Sequence, residues 1–256
     1  MTAHALSMGL RRQGGALQGV TTQKDWGDLG YTIVSGSFTT EGLPVTITRE
    51  TDASPHSIDQ DIFESKEALG DTLTYRTFDS KDDEQLWVVN QVKNDLKLGF
   101  RPEDLLITAL GGSQGKDYLN GLKRSLESEG ILAYIAGEER RPGERFPNRN
   151  IFRMRGRVTI ANIHRAKGNE AWKVYTCRFH CATQPSAEMG EKEIHKRNEA
   201  FVALTRARVW CVVTGLNNPI FDELEEVISM VRNEPPNLTF PAFNKNSLKR
   251  ITEDEE

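Results

Sequence analysis

Within seven residues of this chain, directly after the apolar run "RVTIANI", stand His164, Lys167, Gly168 and Glu170. A ring nitrogen, two charges of opposite sign and a permissive glycine in one turn after a strand can meet a polar ligand, since such turns carry the binding groups of doubly wound sheets. Further on, "RNEAFVALTRARVWCVVTG" runs a helix into a strand, with Arg206 and Arg208 near the helix C-terminus. An arginine there ordinarily complements the helix dipole or is solvated. A third stretch, "GGSQGKD", Gly111 to Asp117, follows the apolar "LLITAL" and resembles a phosphate-binding loop. Its spacing excludes that: three residues rather than four separate Gly111 from Gly115, and Lys116 is followed by Asp117 where a magnesium-binding hydroxyl should stand. It reads as a strand-to-helix turn.

Cysteine chemistry is a poor match. Cys177, Cys181 and Cys211 form no paired spacing, so neither a disulfide framework nor a repeated zinc knuckle is expected. Cys177 and Cys211 sit inside the apolar runs "VYTCRF" and "VWCVVTG", which suit buried free thiols better than metal ligands. No metal site is expected from these residues.

These residues must be positioned by elements whose pattern is regular from residue 72 onward. "TLTYRTF" is strand-like; "DDEQLWVVNQVKNDLKLG" opens with acids, as helices do, and spaces Leu86, Val89, Val92 and Leu96 for an apolar face. "LLITAL", "LAYIAG", "RVTIANI", "AWKVYTCRF" and "VWCVVTG" read as strands. "YLNGLKRSLESEG", "EKEIHKRNEAFVALTRAR" and "FDELEEVISMVRN" read as helices between or after them. The alternation predicts right-handed crossovers and a doubly wound, mostly parallel α/β sheet with ligands at the strand C-terminal ends. Residues 1–71 read as a connecting segment with a small β appendage built on "YTIVSGSF" and "LPVTITRE", residues 72–234 as the main domain, and 235–256 as a charged tail.

The bulk numbers exclude little else. At 256 residues the chain can bury a core without staples, and no apolar run approaches the length of a membrane span, so a cytoplasmic protein without membrane contact is expected. A net charge of −4 means that any polyanion binding must come from a local patch. Between Arg140 and Arg157, seven arginines against one acid, with Phe146 and Phe152 interleaved, could be such a patch or a solvated loop.

The wording "IHRAKGNEA" and "FVALTRAR", in that order and spacing, resembles motifs V and VI of UvrD-like superfamily 1 helicases. The stretch "DDEQLWVVNQVKNDLKLGFRPEDLLITAL" is similar to the opening of that family's second RecA-like domain, so the likeness covers roughly residues 72 to 216. The resemblance implies a RecA-like fold and a role as the C-terminal half of an ATP-dependent DNA helicase or translocase. Arg206 matches the arginine that reaches the γ-phosphate, where a planar, multi-donor cation stabilises charge in phosphoryl transfer. Glu170 matches the glutamate associated with the ribose, with Gly168 and Lys167 beside it on the nucleotide side. His164, with Asn162, Arg165 and Thr205, falls on the side of the single-stranded nucleic acid, DNA or alternatively RNA. Asn162 departs from the usual serine or threonine and Asn169 from the usual leucine of the motif.

ATP and Mg2+ would be shared with a first RecA-like domain. Its phosphate loop, acidic metal-binding pair and further arginine are not found in this sequence: Asp83-Glu84, Asp222-Glu223 and Asp254-Glu255 each open a helix or sit in the tail. A phosphate-loop domain acting in trans, or one lost by truncation, is the partner expected, and ATP hydrolysis is expected only with it. The alternative is a non-enzymatic nucleic-acid-binding or regulatory module that retains the fold. A free-standing nucleotide enzyme is a third reading, against which the missing phosphate loop counts.

Overall fold

The computed structural model describes residues 27, 30–37, 40, 42–49, 72–138, 150–183, 193–232 and 237–242. The linker 51–60, the first part of the arginine-rich stretch with Phe146, and the charged end beyond 242 lie outside them. The chain divides into two compact units, residues 71–221 and residues 1–70 with 222–256.

The larger unit is built on six parallel strands: β3 (Leu73–Phe78), β4 (Leu105–Ala109), β5 (Ala133–Ile135), β6 (Val158–Ile160), β7 (Ala171–Cys177) and β8 (Ala207–Leu216). Their order across the sheet is β3-β8-β7-β4-β6-β5. Helices α1 (Lys81–Lys97), α2 (Gly112–Ser128), α3 (Ile163–Ala166) and α4 (Glu193–Leu204) connect them. This is the α/β architecture that the alternation of segments predicted. β4 is buried at all five positions, as a central strand covered on both faces must be. Leu105, Ile107 and Ala109 point into a core shared with Val88, Val89 and Val92 of α1 and Tyr118, Leu119, Leu122 and Leu126 of α2. Leu106 points the other way, with Val174 and Ala171 of β7 and Ala166 of α3.

Helix α1 begins where the acids suggest. Ser80 caps it, its Oγ accepting from the Asp83 amide at 3.1 Å, with Asp82, Asp83 and Glu84 in the first turn. Gly99, at φ 101°, lets the chain turn away after the last turn. Val89 and Val92 are buried on the expected face and Leu96 is partly buried against the core, but Leu86 is 62% exposed, and Glu84, Val88 and Asp95 complete the buried stripe. The i, i+3, i+4 rule counts apolar residues, and here two carboxylates occupy the inward stripe because the sheet supplies donors for them.

The other unit contains an antiparallel sheet in the order β1 (Tyr31–Ser35), β2 (Pro44–Arg49), β9 (Asn237–Pro241). The expected β appendage is thus present, but it has three strands. Residues 237–241, read from the sequence as tail, supply the third. "NLTFP" has strand propensity but no neighbour in sequence to pair with, and β2 provides the partner from nearly two hundred residues away. Val45 and Ile47 of β2 are fully buried. Helix α5 (Ile220–Arg232) carries the chain from one unit into the other. Among the described residues no helix is long and apolar enough to cross a membrane.

Candidate functional site

The two segments singled out by residue type come together in the larger unit. After β6, Asn162 starts the single-turn helix α3, its side-chain oxygen accepting from the Arg165 amide at 2.9 Å. Serine, threonine and asparagine all do this well, so the departure at 162 preserves the cap. Lys167 is exposed, and Gly168 turns the backbone at φ 82°, which favours glycine. No atom lies within 4 Å of where its Cβ would be, so the dihedral sets the requirement here.

That turn delivers residues 169–170 to the start of β7, against the start of β8. The Arg206 carbonyl accepts from the Ala171 amide at 3.0 Å, and Ala171 pairs with Ala207 in the sheet. This pairing corrects the expected end of the helix: α4 stops at Leu204, and Arg208 is the second residue of strand β8.

The Arg206 guanidinium is oriented by three acceptors. Nε donates to the Val202 carbonyl at 2.9 Å, Nη1 to the Asn169 carbonyl at 3.3 Å and Nη2 to Thr205 Oγ1 at 3.0 Å. A guanidinium has five N–H donors, so two, one on each terminal nitrogen, have no partner among the described residues. Asn169 is half-buried, and its amide donates to the Arg165 carbonyl at 3.3 Å, which holds the loop that holds Arg206. Beside this group the Glu170 carboxylate pairs with Arg208 Nε at 3.2 Å, both side chains about half exposed. Arg208 in turn lies over the Trp172 ring at 5.7 Å from its centroid. Arg153, from the described end of the arginine-rich stretch, donates to the Glu170 carbonyl at 2.6 Å.

The residues expected on the nucleic-acid side are more dispersed. His164 is 85% exposed with its Nε2 4.0 Å from Glu199 Oε1. Arg165 turns instead toward the end of β5, where a Cβ on Gly137 would lie 2.1 Å from its Nη2. Thr205 Oγ1 is engaged by the Phe201 and Val202 carbonyls, at 3.0 and 3.1 Å, and by Arg206. Its geometry is that of a group fixing the helix end and the guanidinium.

Ligands were expected at the C-terminal ends of the strands, yet Glu170, Arg206 and Arg208 stand at the N-terminal starts of β7 and β8. At the opposite end, the protein's own side chains occupy the crevice between β4 and β7. Between β4 and β7, whose outgoing chains depart to opposite faces, Arg178 Nη2 donates to Gln114 Oε1 at 2.9 Å and contacts Cys181 Sγ at 3.4 Å. A Cβ on Gly111, at φ 100°, would lie 3.2 Å from the same Nη2. The "GGSQGKD" turn therefore opens helix α2 against an arginine of the next crossover, and Lys116 pairs with Glu138 at 3.4 Å.

Under this end lies a residue the sequence reading passed over. Glu84 is fully buried; its Oε1 accepts from the Arg178 amide at 2.9 Å and from Thr214 Oγ1 at 2.6 Å, while Oε2 has no hydrogen-bond partner. Burial pushes its carboxyl above the ordinary range, against the lowering effect of those donors. Arg178, at φ 56°, is the one non-glycine residue with positive φ among those described. The Glu84 bond to its amide helps to hold that conformation. His180, 7% exposed, accepts from the Leu216 amide on Nδ1, and burial together with the Arg178 charge lowers it to about 4. The acidic first turn of α1 was visible in the sequence, but nothing distinguished Glu84 from its solvated neighbours.

Burial raises the Cys211 thiol to about 12, and Cys177 is likewise pushed up by burial; both are free. Among the described residues no three His, Cys, Asp or Glu side chains are grouped so as to hold a metal ion.

No family model matches the chain, and no curated protein matches it. Among solved structures, the chain is similar to the C-terminal domain of a possible DNA helicase from Lactobacillus plantarum WCFS1, at 15% identity and a TM-score of 0.41, over 58% of this chain and 76% of that one. A likeness at that level carries no argument about function.

Proposed function

We infer that the larger unit is the second RecA-like domain of a superfamily 1 DNA helicase or translocase. In this reading it supplies Arg206 to an ATP and Mg2+ site whose phosphate loop and metal-binding acids come from a first RecA-like domain outside this sequence. The observation that carries the reading is the state of Arg206: three donors anchored to Val202, Asn169 and Thr205, and two without a partner among the described residues. A guanidinium fixed in this way meets an incoming phosphate without reorganising, which is what electrostatic stabilisation of phosphoryl transfer requires. Glu170 would take the ribose and Gly168 and Lys167 would flank the nucleotide. His164, exposed on α3, would face single-stranded nucleic acid, DNA in the first instance, with Asn162, Arg165 and Thr205 acting behind it as the residues that shape the segment. Nucleotide-driven closure of the two domains would be a hinge transition.

The test is ATP hydrolysis by the full chain, alone and with a candidate phosphate-loop partner, each with single-stranded DNA and with RNA. Alone, the rate should stay at background. With the partner, a nucleic-acid-stimulated rate should appear and be lost in Arg206→Ala. DNA-stimulated turnover by the chain alone, abolished by Arg206→Ala, would sink the half-site account.

The reading of the chain as a binding module without ATP chemistry is favoured by one observation, the exposure of His164 and Lys167 on one short segment. Salt-sensitive single-strand binding with no hydrolysis in any pairing would support it.

A further inference from the structure

Trp172 is 40% exposed, and it is the one aromatic among the large apolar side chains that the described residues leave to solvent. It is the second residue of β7, two along from Glu170, so period-two alternation puts both on one side of the strand. Arg208 bridges them, its Nε on the Glu170 carboxylate at 3.2 Å and its guanidinium over the indole at 5.7 Å. Arg206 adjoins through Asn169, which precedes Glu170. Along the start of β7 and β8 there thus runs a sequence of three chemistries: spare guanidinium donors, a half-exposed carboxylate, and a flat aromatic face. Arg153, on the Glu170 backbone carbonyl, is a third arginine at this strand start beside Arg206 and Arg208, so the local charge suits an anion although the chain as a whole is acidic.

We propose that, on the nucleotide surface inferred above from Arg206 and Glu170, Trp172 is the group that stacks the base of the nucleoside triphosphate. The assignment of Trp172 rests on the reading of Arg206 as a phosphate contact. An indole already carrying a planar guanidinium offers the face that a nucleobase, also flat and polarisable, can occupy in its place. Arg208, displaced from the ring, keeps its charge within reach of the phosphates. A row of half-exposed groups buries little of a ligand, so the surface by itself binds weakly. It reaches full affinity only when a second domain covers the other side of the nucleotide. A single strand stacking on Trp172 is the competing occupant, and it is separated by experiment.

The full chain is titrated with ATP, with inorganic tripolyphosphate and with oligo(dT), following tryptophan emission and, independently, heat of binding. ATP should bind about tenfold more tightly than tripolyphosphate, the increment of one stacked base. That ratio should fall to one in Trp172→Ala and be retained in Trp172→Phe, which keeps a ring. The chain also holds Trp26, Trp87 and Trp210, so the emission change is assigned to Trp172 by its loss in Trp172→Phe while the heat of binding persists. Equal binding of ATP and tripolyphosphate by the unsubstituted chain overturns the proposal, as does a ratio unmoved by Trp172→Ala. Oligo(dT) binding that alone responds to Trp172→Ala overturns it in favour of a strand. If Arg206→Ala leaves tripolyphosphate binding unchanged while the ATP ratio holds, the phosphate role of Arg206 fails and the base contact stands. If neither phosphate probe binds, both fail.

Discussion

The two ends of the parallel sheet solve opposite problems with similar residues. At the C-terminal end, Glu84, Arg178 and His180 are packed against one another's elements and turned inward, and the crevice between β4 and β7 is closed by Arg178 against Gly111 and Cys181. At the starts of β7 and β8, Glu170, Arg208 and Trp172 are held by one or two side-chain contacts, Arg206 by three acceptors, and all four are left partly open. An arginine and a glutamate occur at both ends. Burial decides their use: a charge removed from water must be satisfied internally and becomes a structural tie, whereas a charge held at the surface with donors to spare can still take a ligand.

The largest expected effect separates the ends by kind. In a reconstituted ATPase, Arg206→Ala should lower the rate by about 10³ to 10⁵ while thermal unfolding of the chain changes little; an equal loss of thermal stability would mark Arg206 as structural and erase the contrast. Glu84→Ala should do the reverse. It leaves the Arg178 amide and the Thr214 hydroxyl unpaired in a fully buried site, so unfolding in denaturant should show a loss of about 3 kcal/mol. Glu84→Gln, which keeps one acceptor oxygen and the volume, should recover a good part of it.

The pH dependence of stability should also belong to the closed end. His180 is lowered from 6.5 to about 4 in the fold. Its contribution is therefore complete above pH 6.5 and is lost as pH falls through about 4, amounting to roughly 3 kcal/mol for a shift of that size. Glu84 runs the other way: its carboxyl is raised, so its term is complete below the unfolded carboxylate pKa and is lost as pH rises through the folded value. Because the two terms oppose each other, the measurement is a difference: from pH 7 down to 4 the denaturation midpoint of the native chain should drop relative to that of His180→Gln; parallel profiles would show that His180 is not the titrating group.

Smaller effects refine the picture. A Cβ at Gly115 would sit 2.6 Å from the Leu110 carbonyl oxygen, so Gly115→Ala should destabilise by about 2 kcal/mol. That would identify this glycine as a packing residue, with nucleotide affinity unaffected. Arg208→Ala removes a half-exposed pair and an exposed guanidinium–indole contact and should cost about 1 kcal/mol; a much larger loss would make the open end structural too.

Much of the scaffold was legible. Apolar runs such as "LLITAL" flanked by amphipathic segments specify buried parallel strands because both faces of such a strand meet helices. The juxtaposition of segments 162–170 and 202–208 was implied by motif order, and β7–β8 pairing brings them together. Other features were not legible. Leu86 counts as apolar in any periodicity, yet the inward stripe of α1 carries Glu84 and Asp95 instead, since Arg178, Thr214, Lys173 and Tyr175 stand ready to bond them from strands that lie far off in sequence.

What the sequence by itself determined is the set of elements, their order and the residue types in each turn, because these follow from local propensity and periodicity. Which end of the sheet is closed and which is open was decided only by the tertiary structure. Glu84 and Arg178 are 94 residues apart, Glu170 and Arg208 are 38 apart, and no local pattern distinguishes a carboxylate that will be buried under its partner from one that will remain at the surface. Desolvation acts on the assembled neighbourhood, and it is there that one pair becomes a tie and the other a candidate site.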